Sequence, residues 1–220
     1  MADRLKQSTE LSPSERARVM ERLIRRRAAQ QAADADRIPR RPPGQPVPLS
    51  FGQEALWFVD QLDPGQSTYN LPLLYRLRGR LDIEALRRSL EIVVDRHEVL
   101  HTTYEARDGE SYQLLSPQGS FPLPVEDVSV LPVEEREEAA RQAASRERHV
   151  PFDLTSGPLF RARVVRLSEE EHLLCLTSHH SVADGWSVGL LNGELSVCYG
   201  ALVGGGEPVL GELPVQFGDF

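Results

Sequence analysis

The sequence predicts an α/β protein, a two-layer sandwich in which a mixed β-sheet is flanked by helices. Apolar residues recur at helical spacing in segment 83–97. Segment 159–167 alternates between apolar and polar residues, and segment 171–179 is a short apolar run. Because such helical and extended segments are interspersed along the chain, helices packed on a sheet are expected.

The composition fits one large domain or one lobe of a bigger one. The chain has 220 residues, 40% of them apolar, which is enough to bury a core. Its two cysteines, Cys175 and Cys198, supply neither a disulfide framework nor a cysteine metal cluster. No signal core and no run of bilayer-spanning length is present, so we expect a cytoplasmic protein without membrane contact.

The net charge of -8 is distributed unevenly. Residues 1–41 contain 11 Lys and Arg against 6 Asp and Glu, whereas the remaining residues contain 14 against 27. An acidic body of this kind lacks the electrostatic footprint of a nucleic-acid-binding protein, so no nucleic-acid partner is expected.

Three parts are predicted along the chain. Residues 1–37 contain a basic helix over 11–33, with Ser and Pro residues at its start and a narrow apolar stripe on an arginine-rich surface. Residues 38–48 form a proline-rich, extended linker. The compact part is expected to begin at Leu49 and to extend to residue 220.

Elements within the compact part follow from caps, periodicity and turns. Ser50 and Asp82 are expected to cap the first two helices, and Asp108-Gly109 marks a hairpin turn. The helices are predicted over 51–62, 83–97, 133–149 and 187–202, and the strands over 71–79, 99–106, 111–115, 159–167 and 171–179.

The strand at 171–179 leads into the segment SHHSVADGWS, residues 178–187. Because side chains on a strand alternate between faces, His179 and His180 are expected to have different roles, one facing a cleft and one packing. An imidazole can take a proton from a nucleophile and return it. Asp184 could orient a histidine or pair with an arginine, and Gly185 would permit a sharp turn into the next helix.

The residues alone leave several interpretations of this segment open. A histidine base, a purely structural histidine and a metal site all remain. A metal site would need a third ligand and would need His180 and Asp184 on one helical face, which the preceding strand disfavours. A serine nucleophile lacks the expected turn, and Cys175 lies inside the apolar run.

The motif and its neighbours resemble a known family. Residues 179–185 match HHxxxDG, the signature of nonribosomal peptide synthetase condensation domains. Four further stretches resemble other blocks of that family in the same order: SFGQEALWFVDQLDPG (50–65), RHEVLHTTY (96–104), PFDLTSGPLFRARVVRL (151–167) and QFGDF (216–220). On these matches over residues 49–220, the sequence is identified as a member of the family.

The sequence departs from the family pattern at four positions. Gly52 and Ala55 replace the usual Ala and Arg of the first block, and Tyr104 replaces the usual Phe of the second. His101 stands where the second block usually carries an arginine. Arg96 remains as the candidate partner for Asp184, and the missing second arginine leaves that ion pair open.

The resemblance implies a function and a site. It implies the N-terminal lobe of a chloramphenicol acetyltransferase-like fold, with the C-terminal lobe absent. Condensation domains join a donor acyl, aminoacyl or peptidyl thioester to the amine of an acceptor aminoacyl thioester. Phosphopantetheine arms of upstream and downstream carrier proteins deliver both, and no cofactor is bound covalently. The implied roles are His180 as catalytic residue, His179, Asp184, Gly185 and Arg96 as supporting residues, and Ser181, Trp186 and Ser187 as substrate-tunnel candidates, with no metal.

Alternatives from other functional classes remain beside this one. The same fold could serve an acyltransferase that uses a coenzyme A thioester, or a module that binds carrier proteins without chemistry. The helix at 11–33 could be a solvated linker helix or an element that docks onto an upstream synthetase.

Overall fold

The computed structural model describes residues 38–42, 44–116 and 119–220. The chain divides into two units, of which the second, Arg40–Phe220, is compact. The predicted helix at 11–33 lies outside the described residues. In order, the described helices and strands are β1 (Val47–Pro48), α1 (Phe51–Leu62), β2 (Asn70–Arg78), α2 (Ile83–Arg96), β3 (Thr102–Arg107), β4 (Glu110–Leu115), β5 (Val125–Asp127), α3 (Val133–His149), β6 (Phe160–Ser168), β7 (Glu171–His179) and α4 (Gly185–Val203).

Two sheets organise the second unit. The larger has the strand order β2-β7-β6-β5, with β2, β7 and β6 antiparallel and β5 parallel to β6. The smaller has the order β1-β4-β3 and is antiparallel. The predicted α/β class with a mixed sheet is therefore confirmed, with the hairpin of β3 and β4 in a sheet of its own.

Side-chain alternation on β6 and β7 sends apolar residues to both faces of the larger sheet. Val164 and Leu176 belong to the main core with α2 and α4. Val165 and Cys175, one step away on the same strands, pack with alanines of α3. The two expected layers thus become three at this sheet, because α3 covers the face opposite α2 and α4.

The turn between β3 and β4 has the conformation that its sequence predicts. Asp108 and Gly109 both have positive φ, 53° and 85°. Two consecutive positive φ values are typical of the turn that matches the twist of a two-residue hairpin, and Asp-Gly is a preferred sequence for it.

The compact unit starts earlier than the predicted boundary at Leu49. Val47 of β1 is buried and pairs with Gln113 of β4, and Arg41 forms ion pairs with Glu98 and Asp219. Prolines disfavour helix but are tolerated in an edge strand, so part of the proline-rich segment completes the smaller sheet.

Candidate active site

A cavity of about 650 Å³ lies at the C-terminal end of β7. Leu176 and Ser178, on one face of β7, line the cavity wall, and so does His180, the residue that follows the strand. Residues of α1, α4 and the 3₁₀ turn at Glu98–His101 also line it. Most of the lining surface is apolar, although several polar side chains also contribute to it.

His180 is exposed and turns to the cavity. Its backbone N–H donates to the Tyr69 carbonyl at 2.9 Å. Its Nδ1 lies 3.0 Å from the Ala183 carbonyl oxygen. Because a carbonyl oxygen only accepts, this contact assigns the hydrogen to Nδ1 and leaves Nε2 of the neutral ring unprotonated. Nε2 has no hydrogen bond to any described residue and is the nitrogen that can act as a base.

His179 lies on the opposite face of β7 and is only 5% exposed. Its Nδ1 accepts from the Ser181 backbone N–H at 3.2 Å and lies 2.7 Å from the Ser181 hydroxyl. Tyr69 and Phe152 contact its ring edge-on. Burial, with a smaller contribution from the charge of His180, lowers the pKa of His179 to about 4. The ring is therefore a neutral, packed support for the loop.

Asp184 caps α4 and does not pair with Arg96, the candidate partner that the sequence left open. Its Oδ1 accepts from the Ser187 backbone N–H at 2.8 Å and from the Ser187 hydroxyl at 2.7 Å. These hydrogen bonds lower the pKa of the Asp184 carboxyl. The carboxylate is thus already used in satisfying the first turn of the helix.

Arg96, at the end of α2, pairs with a different carboxylate of α4. Its Nε donates to Glu194 Oε1 at 3.0 Å, and its guanidinium also donates to the Gly211 carbonyl. Asp184 and Glu194 are ten residues apart, about 15 Å along α4, and Glu194 is the one beside the end of α2. His101, which replaces the second arginine, instead contacts the Ser116 carbonyl at 3.2 Å.

The remaining predicted site residues are only partly brought together. Ser181 and Ser187 line the cavity, but their hydroxyls are bonded to His179 and Asp184. Trp186 is 88% exposed and does not line it. Gly185 is the first residue of α4; it is not among the glycines with positive φ, and an added Cβ would meet no atom within 4 Å.

Sequence reasoning missed two buried side chains that fix the loop after the histidines. Gln53 donates from Nε2 to the Ser181 carbonyl at 3.1 Å, and Tyr104 Oη donates to the same oxygen at 3.3 Å. Burial raises the pKa of Tyr104 to about 12, which keeps its hydroxyl a donor. Tyr104 also stacks on Trp57 with ring centroids 5.4 Å apart.

These two residues do carry a signal in the sequence. Gln53 lies in the stretch 50–65 and Tyr104 in the stretch 96–104, each of which resembles a block of the family. Their common target is remote, since Gln53 and Ser181 are separated by 128 positions. The departure from Phe to Tyr at residue 104 gives the loop a hydrogen-bond donor.

The described part of the chain contains neither a metal-binding cluster nor a membrane-spanning helix. Within it, no three His, Cys, Asp or Glu side chains are grouped to hold a metal ion. None of the helices described is both long and apolar enough to cross a bilayer.

Comparison with known proteins gives relatives over nearly all of the described unit. A family model described as "Condensation domain" matches residues 44–220. The chain is 44% identical over 179 residues to a protein of the linear gramicidin synthase of Brevibacillus parabrevis, covering 81% of this chain and 2% of that protein. It is 42% identical over 211 residues to phosphinothricin tripeptide synthetase PhsC of Streptomyces viridochromogenes, covering 96% of this chain and 19% of that protein.

Solved structures show the same fold. The starter condensation domain of rhizomide synthetase RzmA superposes with a TM-score of 0.72 at 22% identity, covering 78% of this chain and 41% of that one. The X-domain from teicoplanin biosynthesis superposes with a TM-score of 0.72 at 30% identity, covering 83% and 38%. The chain therefore spans about two fifths of these structures and a smaller share of the synthetases. It belongs to the condensation-domain family of nonribosomal peptide synthetases and makes up part of one such domain.

Proposed function

We propose that this chain supplies the catalytic histidine for amide formation between two carrier-bound thioesters. The donor is an acyl, aminoacyl or peptidyl thioester, and the acceptor is an aminoacyl thioester with a free amine. The observation that carries the proposal is the tautomer of His180, whose Nδ1–H is held by the Ala183 carbonyl while Nε2 stays free at the cavity.

The chemistry follows from that free nitrogen. As the acceptor nitrogen bonds to the thioester carbonyl carbon, Nε2 of His180 takes one of its protons. The carbon–sulfur bond then breaks, and the imidazolium returns the proton to the departing sulfur. General base catalysis of this kind contributes roughly 10²–10⁴-fold in rate. Holding two tethered reactants together supplies much of the remaining acceleration.

The other predicted site residues have supporting roles in this proposal. Asp184 and Ser187 begin α4 directly after the His180 loop. Arg96 ties α2 to α4 through Glu194, and His179 supports the loop from the opposite face. The N–H of Gly185 at the start of α4 is the proposed donor toward the developing oxyanion.

The cavity has a size and a lining that suit a thioester substrate. A volume of about 650 Å³ lies within the ordinary range of small-molecule sites, and its lining is mainly apolar. A phosphopantetheine arm would therefore enter from a partner carrier protein, with its apolar acyl part against Leu176 and neighbouring residues. We propose upstream donor and downstream acceptor carrier proteins as the partners.

Exposed apolar side chains support the proposal that residues 49–220 form one lobe of a two-lobe domain. On α1, Phe51 is 93% exposed and Phe58 and Leu62 are also exposed. On α4, Trp186 and Leu190 are exposed. Apolar surfaces of this kind usually mark an interaction site, and the C-terminal lobe of a two-lobe condensation domain is the proposed occupant.

The test uses the complete synthetase module that contains this sequence. We expect His180→Ala to slow amide formation between carrier-bound substrates by at least about 100-fold. His149→Ala, at an exposed histidine at the end of α3, serves as the matched control and should keep the wild-type rate. An unchanged rate in His180→Ala would remove the base role.

The same assay separates the alternative functions. Donors are supplied on the upstream carrier protein or as coenzyme A thioesters. A strong preference for the coenzyme A donor would favour a free acyltransferase. Carrier binding without any product from the wild-type module would favour a non-catalytic binding module.

We also propose that residues 11–33 dock onto an upstream synthetase. The support is the sequence pattern of an arginine-rich helix with an apolar stripe, which suits an acidic partner. Deletion of residues 1–37 leaves the Arg41 ion pairs in place. The deletion should slow coupling from the separate upstream protein and leave binding of the downstream carrier unchanged; unaltered coupling would remove the docking role.

A further inference from the structure

The cavity has a second histidine in its wall, far from the first in sequence. His97 lies between α2 and the 3₁₀ turn at Glu98–His101. Val99, Leu100 and Phe217 line the same cavity. His97 therefore adds a polar side chain to a wall that also contains apolar groups.

Glu194 fixes the orientation of that imidazole. It is only 8% exposed, and its Oε2 lies 2.6 Å from His97 Nε2. Its Oε1 accepts from Arg96 at 3.0 Å. A carboxylate paired with an arginine accepts from the imidazole, so Nε2 of His97 carries a hydrogen, and in the neutral ring Nδ1 is the nitrogen without one. Nδ1 has no hydrogen bond to any described residue.

His97 and His180 thus present opposite ring nitrogens. His180 is held through Nδ1 by a backbone carbonyl, whereas His97 is held through Nε2 by a buried carboxylate. An imidazole oriented by a carboxylate has a defined tautomer and a defined direction for its remaining lone pair. In His97 that lone pair, on Nδ1, can accept one hydrogen bond.

We propose that His97 is a specificity-determining residue, whose Nδ1 accepts a hydrogen bond from a hydroxyl or amide N–H on one of the two substrates. Glu194 and Arg96 are the positioning residues for this contact. An apolar substrate would leave Nδ1 dehydrated and unpaired, which disfavours it relative to an isosteric substrate that carries a donor. The inference rests on the proposed amide-forming function.

The experiment measures discrimination between isosteric substrates in the complete module. Threonine is compared with valine, and asparagine with leucine, first as the acceptor and then as the donor aminoacyl thioester. The wild-type module should prefer the hydrogen-bonding member by about 10-fold or more in kcat/KM on one of the two sides. The side that shows the preference identifies which substrate His97 contacts.

Three variants separate recognition from a structural role. His97→Gln places an amide nitrogen near the Glu194 carboxylate but lacks Nδ1, and His97→Phe removes both polar atoms. Both should reduce the preference to within about 2-fold, with the loss in kcat/KM larger for the hydrogen-bonding member than for the apolar one. Glu194→Gln should weaken the preference because the ring loses its fixed orientation. His149→Phe is the control and should change nothing.

The outcomes distinguish this inference from the proposed function. If wild-type discrimination is absent, or persists in folded His97→Gln, the recognition role is wrong even though amides are formed. If lower thermal stability accompanies an unchanged preference, His97 is a structural tie between α2 and α4. If the wild-type module forms no amide with any pair, the proposed function fails instead.

Discussion

The two faces of strand β7 place neighbouring histidines in different chemical environments. On the α3 side, His179 is enclosed by Tyr69 and Phe152, and its Nδ1 accepts from Ser181. On the cavity side, His180 is exposed, and its Nδ1 donates to Ala183. A single step along the chain therefore exchanges a buried imidazole, which accepts a hydrogen bond through Nδ1, for an exposed one whose Nε2 has no hydrogen bond to a described residue. The environment of each ring thus follows from its face and its partners.

Alanine substitutions of the two histidines should differ strongly in their effect on the free energy of unfolding. His179→Ala removes a buried ring and the acceptor for the Ser181 N–H, so we expect the free energy of unfolding to fall by about 3 kcal/mol. His180→Ala removes an exposed ring and should cost less than about 0.5 kcal/mol. Urea denaturation of the full chain measures both; equal losses would contradict the assignment of the two faces.

The low pKa of His179 predicts a loss of stability in acid. The pKa is about 4 in the folded chain, against an ordinary value of 6.5. Between these pH values the unfolded chain binds a proton that the folded chain does not. The free energy of unfolding is therefore unaffected by protonation of His179 above about pH 6.5. It falls on acidification, by up to about 3 kcal/mol near pH 4, because protonation favours the unfolded chain.

The His179→Gln variant isolates this effect from other titrating groups. It lacks the imidazole, so the difference in unfolding free energy between wild type and variant should shrink as the pH falls from 6.5 to 4. Denaturation curves at several pH values give that difference directly. A difference that stays constant over this range would mean that His179 is not the group that resists protonation.

Local patterns predicted much of this arrangement. The strand predicted at 171–179 separated His179 from His180, because side chains on a strand alternate between faces. Asp108-Gly109 predicted the hairpin of β3 and β4. The three-residue strand β5 was missed because so short a segment has no measurable period. The partner of Arg96 was also missed, because periodicity within α2 says nothing about which carboxylate of α4 lies beside it.

Removing the buried donors to the Ser181 carbonyl should lower the free energy of unfolding by a moderate amount. Tyr104→Phe removes one donor and should cost about 1 kcal/mol, whereas Gln53→Leu also removes the acceptor for the Ser50 N–H and should cost about 2 kcal/mol. The double variant leaves the carbonyl without either donor, so its loss should exceed the sum. Additive losses in urea denaturation would show that the two donors act independently.

Substitutions of Asp184 should have small effects on the free energy of unfolding. They test whether a cap or an ion pair with Arg96 stabilises the start of α4. Removing the cap with Asp184→Ala should cost about 1 kcal/mol, and Asp184→Ser, which retains a capping oxygen, should recover most of it. In a double-mutant cycle, Asp184 and Arg96 should couple by less than about 0.5 kcal/mol. The same cycle for Glu194 and Arg96 should exceed about 1 kcal/mol, because that pair is largely buried and hydrogen-bonded.

A coupling above about 1 kcal/mol between Asp184 and Arg96 would restore the ion pair expected from the sequence. It would also require α4 to move along α2, since Arg96 now reaches Glu194. If Asp184 couples only weakly to Arg96 and Asp184→Ser restores stability, Asp184 acts locally, as the cap that begins α4 immediately after the His180 loop. The ion pair between the end of α2 and α4 is then made by Glu194, which lies outside the HHxxxDG segment at 179–185.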